Sequence, residues 1–295
     1  MRIIQFSDTH ISHLGGLGHG NAERLVDYLN EVARPDLVVN TGDVVILDPD
    51  ADEDRDAAMR IHERIDAPLQ VLPGNHDVGE CAARPWRGIG VSSRRVQGFR
   101  AAWGSDRFVL FGDAARDAQG WAFVGINSEL CSSGLPEEDE QWAWLEEVAA
   151  EAAGMSVLLF LHKPLVIDDG PRENVTVTAA ARERILRTFH GGLRVVGNGH
   201  VHRYRRTTDG DVMAVSAPSL CFSPPAEPDL KFGPGTAGIV EYSVRGGHVD
   251  ARFAEVPGIE GAADFFTLPE AGQSLAALRP REETGCSQQN AGACS

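Results

Sequence analysis

The chain has 295 residues, 42% of them apolar and 24% charged, an ordinary balance for a folded protein with a substantial buried core. Its formal net charge of −16 argues against a nucleic-acid backbone as the main partner, since no basic stripe offsets it. No apolar run approaches the ~20 residues of a bilayer span, and the N-terminal "MRIIQFSDTH" lacks the apolar core of a signal peptide, so a cytoplasmic protein is expected.

Taken in chain order, the apolar periodicity predicts a strand over 2–6 (RIIQF) and then a helix over 21–33. In that helix Leu25, Leu29 and Val32 form the apolar face, Asn21 is the expected N-cap, and Pro35 closes the segment. Strands follow over 36–40 (DLVVN), 68–73 (PLQVLP) and 121–127 (WAFVGIN). A helix over 139–153 has Trp142 and Trp144 as core packing and edge cover, before a strand over 156–161 (SVLLFL). A third helix over 178–190 leads to a strand over 193–197 (LRVVG). From about residue 210 short strands come without helices between them, which suggests an antiparallel edge or a second sheet. One domain is expected over 1–270, with a polar tail over 271–295 expected to be disordered.

Three features carry bland readings. The acidic stretch "DPDADED" (48–54) resembles the start of a calcium loop, but Glu53 and Met59 stand where glycine and glutamate are needed, so it reads as a solvated loop. "GGLGHG" (15–20) lacks dinucleotide-binding spacing and reads as a flexible loop beside a site. Cys81, Cys131, Cys221, Cys286 and Cys294 are odd in number and contain no CxxC pair, so they read as reduced thiols.

The chemistry gathers at strand ends. The first strand leads into Asp8 and His10, the second into Gly42-Asp43, and the third into Gly74-Asn75-His76-Asp77. "SVLLFL" ends at His162, and "LRVVG" runs into Gly199-His200-Val201-His202. Five strands thus deliver Asp, Asn or His to the end where open α/β sheets place their sites. Oxygen plus imidazole ligands without thiolate suit divalent Mn, Fe, Zn, Co or Ni. Residues i and i+2 of an extended segment point the same way, so Asp8 and His10 are expected to converge on one ion. His200 and His202 suit two ions ~3.5–4 Å apart, one histidine each, with Asp43 as the bridge.

This ordered set of Asp8, His10, Asp43, Asn75, His76, Asp77, His162, His200 and His202 resembles the full signature of the calcineurin-like metallophosphoesterases, over roughly residues 1 to 220. The resemblance implies an α/β/β/α sandwich with two mixed sheets and a dimetal centre at the strand C-terminal ends. It also implies a partition, with Asp8, His10, Asp43 and His202 on one ion and Asp43, Asn75, His162 and His200 on the other. Two divalent ions imply hydrolysis of a phosphoester by a water shared between them, its pKa lowered toward ~7. His76 follows Asn75 directly, so its side chain is expected to point away from the ions. It is assigned to protonating the leaving alkoxide or stabilising phosphoryl oxygens, worth ~10²–10⁴ in rate. Asp77 is expected to orient His76 or a neighbouring ligand, or else to be a plain turn residue. His13 and His19 read as exposed loop histidines.

The substrate is less legible. Ile46 stands where purple acid phosphatases carry a tyrosine, and His162-Lys163-Pro164 looks most like class III cyclic nucleotide phosphodiesterases and related bacterial enzymes. A small phosphomonoester or phosphodiester is therefore the expected partner, without membrane or nucleic acid, and a dimer stays open. The competing readings are a non-catalytic interaction module of the same fold and a nuclease. The proline-rich stretch 218–236 reads either as a loop near the site or as a partner surface.

Overall fold

The computed structural model describes residues 1–165, 174–223, 236–262 and 264–278. One sheet contains β1 (Arg2–Phe6), β2 (Leu37–Asn40), β3 (Leu69–Val71), β10 (Ile239–Arg245) and β11 (His248–Ala254), in the order β11-β10-β1-β2-β3. The other contains β4 (Phe108–Phe111), β5 (Trp121–Gly125), β6 (Ser156–Leu161), β7 (Leu193–Asn198), β8 (Arg205–Asp209) and β9 (Val212–Ser216), in the order β4-β5-β6-β7-β9-β8. Both sheets are mixed. The pairs β1–β2, β2–β3, β5–β6, β6–β7 and β7–β9 are parallel, and β1–β10, β10–β11, β4–β5 and β8–β9 are antiparallel.

Alternation along each strand builds the layers. In β6, Leu158 and Phe160 enter a core shared with Ile3, Leu37, Val39 and Tyr242 of the first sheet, while Val157, Leu159 and Leu161 face the other way. That outer face is covered by α5 (Pro136–Glu151) and α6 (Ala179–Thr188) through Trp142, Leu145, Val148 and Ile185. On the far side, Ile4, Phe6 and Val38 pack under Leu25 and Leu29, which α1 (Leu17–Tyr28) and its π-helical extension (Leu29–Ala33) supply. The result is the four-layer α/β/β/α sandwich. Strands buried on both faces must read as continuous apolar runs, which is why "SVLLFL" matches β6 residue for residue. Phe160, fully buried between the sheets, anchors that middle layer; truncating such a side chain to alanine costs about 3–5 kcal/mol.

Several local expectations are corrected. Helix α1 begins at Leu17, not Asn21, so "GGLGHG" is mostly helix; Asn21 is buried inside it and donates to the carbonyls of Leu220 and Glu260. The π turn rotates Val32 outward to 66% exposure and ends at Arg34, whose φ is 45°. The acidic stretch turns into α2 (Asp52–His62), its carboxylates in the first turn where they complement the helix dipole. Asp54 there is buried and accepts from the Ser12 hydroxyl and His13 N–H. Three further strands and helices went unread, β4, α4 (Ser93–Trp103) and β8. A final helix, α7 (Pro269–Ala277), occupies the start of the expected tail, and residues 279–295 lie outside the described residues. Among the described residues no helix is long and apolar enough to cross a membrane. Cys81, Cys131 and Cys221 are free thiols.

Candidate metal centre

The C-terminal ends of β1, β2 and β3 from one sheet meet those of β6 and β7 from the other. Backbone bonds hold the strand tips together. Asp8 N–H donates to Gly42 O at 2.9 Å, His10 N–H to Asp43 O at 3.1 Å, and Gly199 N–H to His162 O at 3.0 Å. The two sheets are tied across the gap by His200 N–H donating to Asp8 Oδ2 at 3.1 Å. The Asp43 and Asn75 loops touch so closely that glycine is required between them. A Cβ on Gly74 would lie 2.2 Å from Asp43 Oδ1, and one on Gly42 2.5 Å from Gly74 N.

All seven candidate ligands converge. Asp8, His10, Asp43 and His202 bring one ligand atom each within 4.8 Å of one another, and Asp43, His162 and His200 form a second such group. Asn75 joins the second, its Oδ1 lying 3.2 Å from His162 Nε2. Asp43 belongs to both, and His200 and His202 divide between them.

The geometry that achieves this is not extended backbone. Asp8, His10, Asp43, His200 and His202 all have left-handed φ, between 48° and 68°. Side chains with a Cβ are held there against a steric penalty of order 1–2 kcal/mol each. The expectation that Asp8 and His10 meet as i and i+2 of a strand is therefore corrected: successive left-handed turns, not a pleat, aim them together.

Three of the four ligand imidazoles are locked by a carbonyl on the far side, while His10 Nδ1 is buried without a partner. His162 Nδ1–H donates to Thr41 O at 2.8 Å, His200 Nε2–H to Asn174 O at 2.9 Å, and His202 Nδ1–H to Phe222 O at 2.8 Å. Such bonds fix the tautomer and turn the other nitrogen inward. Those inward nitrogens face carboxylate oxygens and one another. His202 Nε2 lies 3.0 Å from Asp8 Oδ1 and 3.3 Å from His10 Nε2; His162 Nε2 lies 3.3 Å from Asp43 Oδ1 and 3.2 Å from His200 Nδ1. Converging lone pairs and carboxylates repel unless a cation stands between them, so the donor set fits a pair of divalent metal ions.

The groups of the cluster shift one another strongly. Burial works against the Asp8 carboxylate, yet His202 and then His162 hold its pKa down at about 2. Burial, joined by His76 and His202, pushes His10 down to about 3, and burial with His162 does the same for His200. Burial opposes charge on His162 as well, but Asp43 carries its pKa up to about 10. Asp43 itself sits well below the usual carboxylate range, with burial outweighed by His162 and His76.

His76 differs from expectation, whereas Asp77 takes one of the roles expected of it. The His76 side chain does not point away: Nδ1–H donates to Ile46 O at 2.7 Å and Nε2 reaches 3.9 Å from Asp43 Oδ2, at the rim of the cluster. The reason is that Asn75 and His76 open a short helical turn, α3 (Asn75–Val78), in which neighbours are separated by about 100° rather than 180°. The His76 ring also lies parallel to Trp86, at 6.4 Å between centroids. Asp77 does not bond to His76. Its buried carboxylate accepts from Val44 and Val45 N–H at 3.1 Å and from Gly74 N–H at 2.8 Å, which clamps the turn that presents Asp43. His13 is paired with Asp54, and His19 lies within α1 and bonds to Ser12 O; neither joins the cluster.

Sequence reasoning missed the carbonyl anchors Thr41, Ile46, Asn174 and Phe222, because a backbone acceptor carries no residue signature. It also missed Lys163, a buried cation 3.0 Å from Glu129 Oε2 directly behind His162. Of the proline-rich stretch, residues 218–223 lie at the site, with Ser219 donating to Asp8 O at 2.8 Å, and residues 224–235 fall outside the described residues.

A family model described as calcineurin-like phosphoesterase matches residues 1–204. The chain belongs to the calcineurin-like phosphoesterases. Among its relatives, GpdQ of Arcobacter nitrofigilis, described as a probable glycerophosphodiester phosphodiesterase, is 26% identical over 231 residues, 74% of this chain and 78% of that one. The human serine/threonine-protein phosphatase CPPED1 is 26% identical over 201 residues, but the match spans only 58% of its length and 61% of this chain. A dimetal phosphatase from Danio rerio shares the fold, with a TM-score of 0.56 at 15% identity over 86% of this chain and 97% of that one.

Proposed function

We propose that this calcineurin-like phosphoesterase is a binuclear metal-dependent hydrolase of small phosphoesters, with phosphodiesters the first class to test. The observation that carries the reading is the inward convergence of carbonyl-locked imidazoles on two carboxylates, in two groups that share Asp43. Asp8, His10, Asp43 and His202 would hold one ion, and Asp43, Asn75, His162 and His200 the other. Bound there, two divalent ions supply charge neutralisation for phosphoryl oxygens and a water acidic enough to be a nucleophile near neutral pH.

The chain's own residues do the rest. His76, tied through Nδ1 to Ile46 O, holds Nε2 at the rim, where its imidazolium form can place a proton on the departing oxygen. Asp77 keeps the Asp43 turn in register by accepting three backbone N–H groups. Two carboxylates against two divalent ions leave a local surplus of about two positive charges, which favours an anionic ester at short range. The net charge of −16 acts over longer distances, where salt screens it beyond ~10 Å, and it disfavours a polyanion. The diester preference takes its support from the GpdQ relative, which covers more of the chain than the phosphatase does.

The test is a substrate panel on metal-stripped protein reloaded with manganese. It includes bis(p-nitrophenyl) phosphate, p-nitrophenyl phosphate, glycerophosphodiesters, cyclic AMP and single-stranded DNA. Manganese-dependent turnover of the small esters, and none of DNA, is expected. Turnover of none of them would replace this reading with a non-catalytic interaction module.

A further inference from the structure

The family match ends at residue 204, yet the chain continues through a segment that returns to the metal centre from outside. Residues 256–262 and 264–278 pack onto the loop 217–223, and that loop touches the ligands. Phe222 and Ala262 form a parallel bridge, with Ser223 N–H donating to Ala262 O and Ala262 N–H to Cys221 O, both at 2.9 Å. The Phe222 ring lies 4.4 Å from His202 and 4.9 Å from His10, centroid to centroid, and 5.2 Å from Phe265. Its carbonyl is the acceptor that orients His202. Phe265, Leu268 and Ala271 also share a buried cluster with Ile46, whose carbonyl orients His76.

A second contact arrives independently. Helix α1 has no side-chain cap of its own, because Gly16 precedes it. The buried Glu270 carboxylate of α7 supplies the missing acceptor for Leu17 N–H at 2.8 Å, from 253 residues away. The first turn it secures is pressed against the ligand loop: a Cβ on Gly18 would lie 2.2 Å from Thr9 O and 2.7 Å from His10 O. Every one of these contacts reaches the Asp8–His10–Asp43–His202 group or the His76 rim. Among the described residues, His162 and Asn75 are anchored instead by Thr41 and by each other, and His200 by Asn174.

We propose that the segment 264–278 is a strap whose Phe265 and Glu270 are positioning residues for one half of the metal centre, so that it sets the affinity of the His10/His202 ion independently of the other. The proposal rests on the binuclear reading above. In physical terms, Phe265 backs Phe222, which fixes both the ring packing and the carbonyl direction seen by His202. Glu270 fixes the start of α1 against the backbone of His10. Loss of either relaxes ligand orientation without removing a ligand. Outer contacts of this kind are worth about 10- to 100-fold in metal affinity.

The experiment measures manganese affinity by calorimetric titration in two single-site backgrounds of the full chain. His200→Ala leaves the Asp8–His10–Asp43–His202 group, and His202→Ala leaves the other. Adding Phe265→Ala is expected to weaken manganese about 10-fold or more in the first background and less than about twofold in the second. Equal weakening in both marks a merely structural role and overturns the proposal, as does no weakening in either. Should Phe265→Ala lose the fold, judged by the thermal transition, Phe265→Leu and Glu270→Ala replace it under the same criteria. A parent chain that takes up no manganese sinks the binuclear reading itself. A parent that binds two ions while the strap variants bind identically in both backgrounds sinks only the strap.

Discussion

His162 donates Nδ1–H to the carbonyl of Thr41 at 2.8 Å, and so presents Nε2 to Asp43 Oδ1 at 3.3 Å. One sheet supplies the histidine, the other both its anchor and the carboxylate it faces. The site is therefore assembled only where the two sheets are packed, and its integrity reports on the middle layer of the sandwich.

Asp43 sits in both ligand groups, so Asp43→Ala should cost both ions. Metal analysis of the purified variant is expected to find less than one manganese per chain, with turnover lowered by ~10³ or more as the charge stabilisation goes. Two retained ions would contradict the shared role. Asp43→Asn preserves the bond accepted from His76 N–H at 2.8 Å and should fold normally, which separates ligand loss from loop collapse.

His76 touches the rim rather than the interior of the cluster. His76→Ala should keep the parent metal content and lower kcat by about 10²–10⁴ with little change in KM. A fall in bound manganese would instead make His76 a ligand.

His62 lies outside the centre but is fully buried, its Nδ1–H donated to Ala58 O and its Nε2 accepting from Asn40, whose Oδ1 holds Gly42 N–H. Burial pushes its pKa down to about 4, against 6.5 for the unfolded chain, partly offset by the Ala58 bond. Between these values the unfolded state binds the extra proton. Stability is therefore full above pH 6.5 and is lost as pH falls toward 4, by about 3 kcal/mol from this group. Urea titrations across that window should show a flatter pH dependence in His62→Gln than in the parent.

Metal and fold should be linked. Manganese at 100 times its dissociation constant adds about 2.7 kcal/mol per site to a folded state that alone can bind it. Thermal transitions are expected to rise by several degrees with manganese and to fall on chelation. Identical transitions in both conditions would show that the cluster holds no ion.

Much of this molecule can be read along its chain, for a reason specific to its architecture. The central strands are buried on both faces, so β1, β6 and β7 announce themselves as apolar runs, and the polar residues that follow them stand out by contrast. Ligand identity was legible because Asp, Asn and His at five strand ends have few other uses. Ligand geometry was not, since left-handed backbone at Asp8 or His202 leaves no mark on residue type. The start of α1 was misplaced because its cap is Glu270, at the opposite end of the chain. The acidic run near Asp54 read as solvated because its partners, Ser12 and His13, are neighbours only in space. His76 was aimed wrongly because a one-turn helix at Asn75 is too short to show a period.

The five strained ligands carry a last consequence. At on the order of 1 kcal/mol or more apiece, their backbone conformations absorb a large part of the roughly 5–15 kcal/mol by which a domain outlives its unfolded chain. Glycine at His200 or His202 would relieve that burden while abolishing a ligand. In chelator, such a variant should outlast the parent on heating. Robustness and reactivity therefore pull these positions in opposite directions, and a descendant that abandoned hydrolysis could become the sturdier protein.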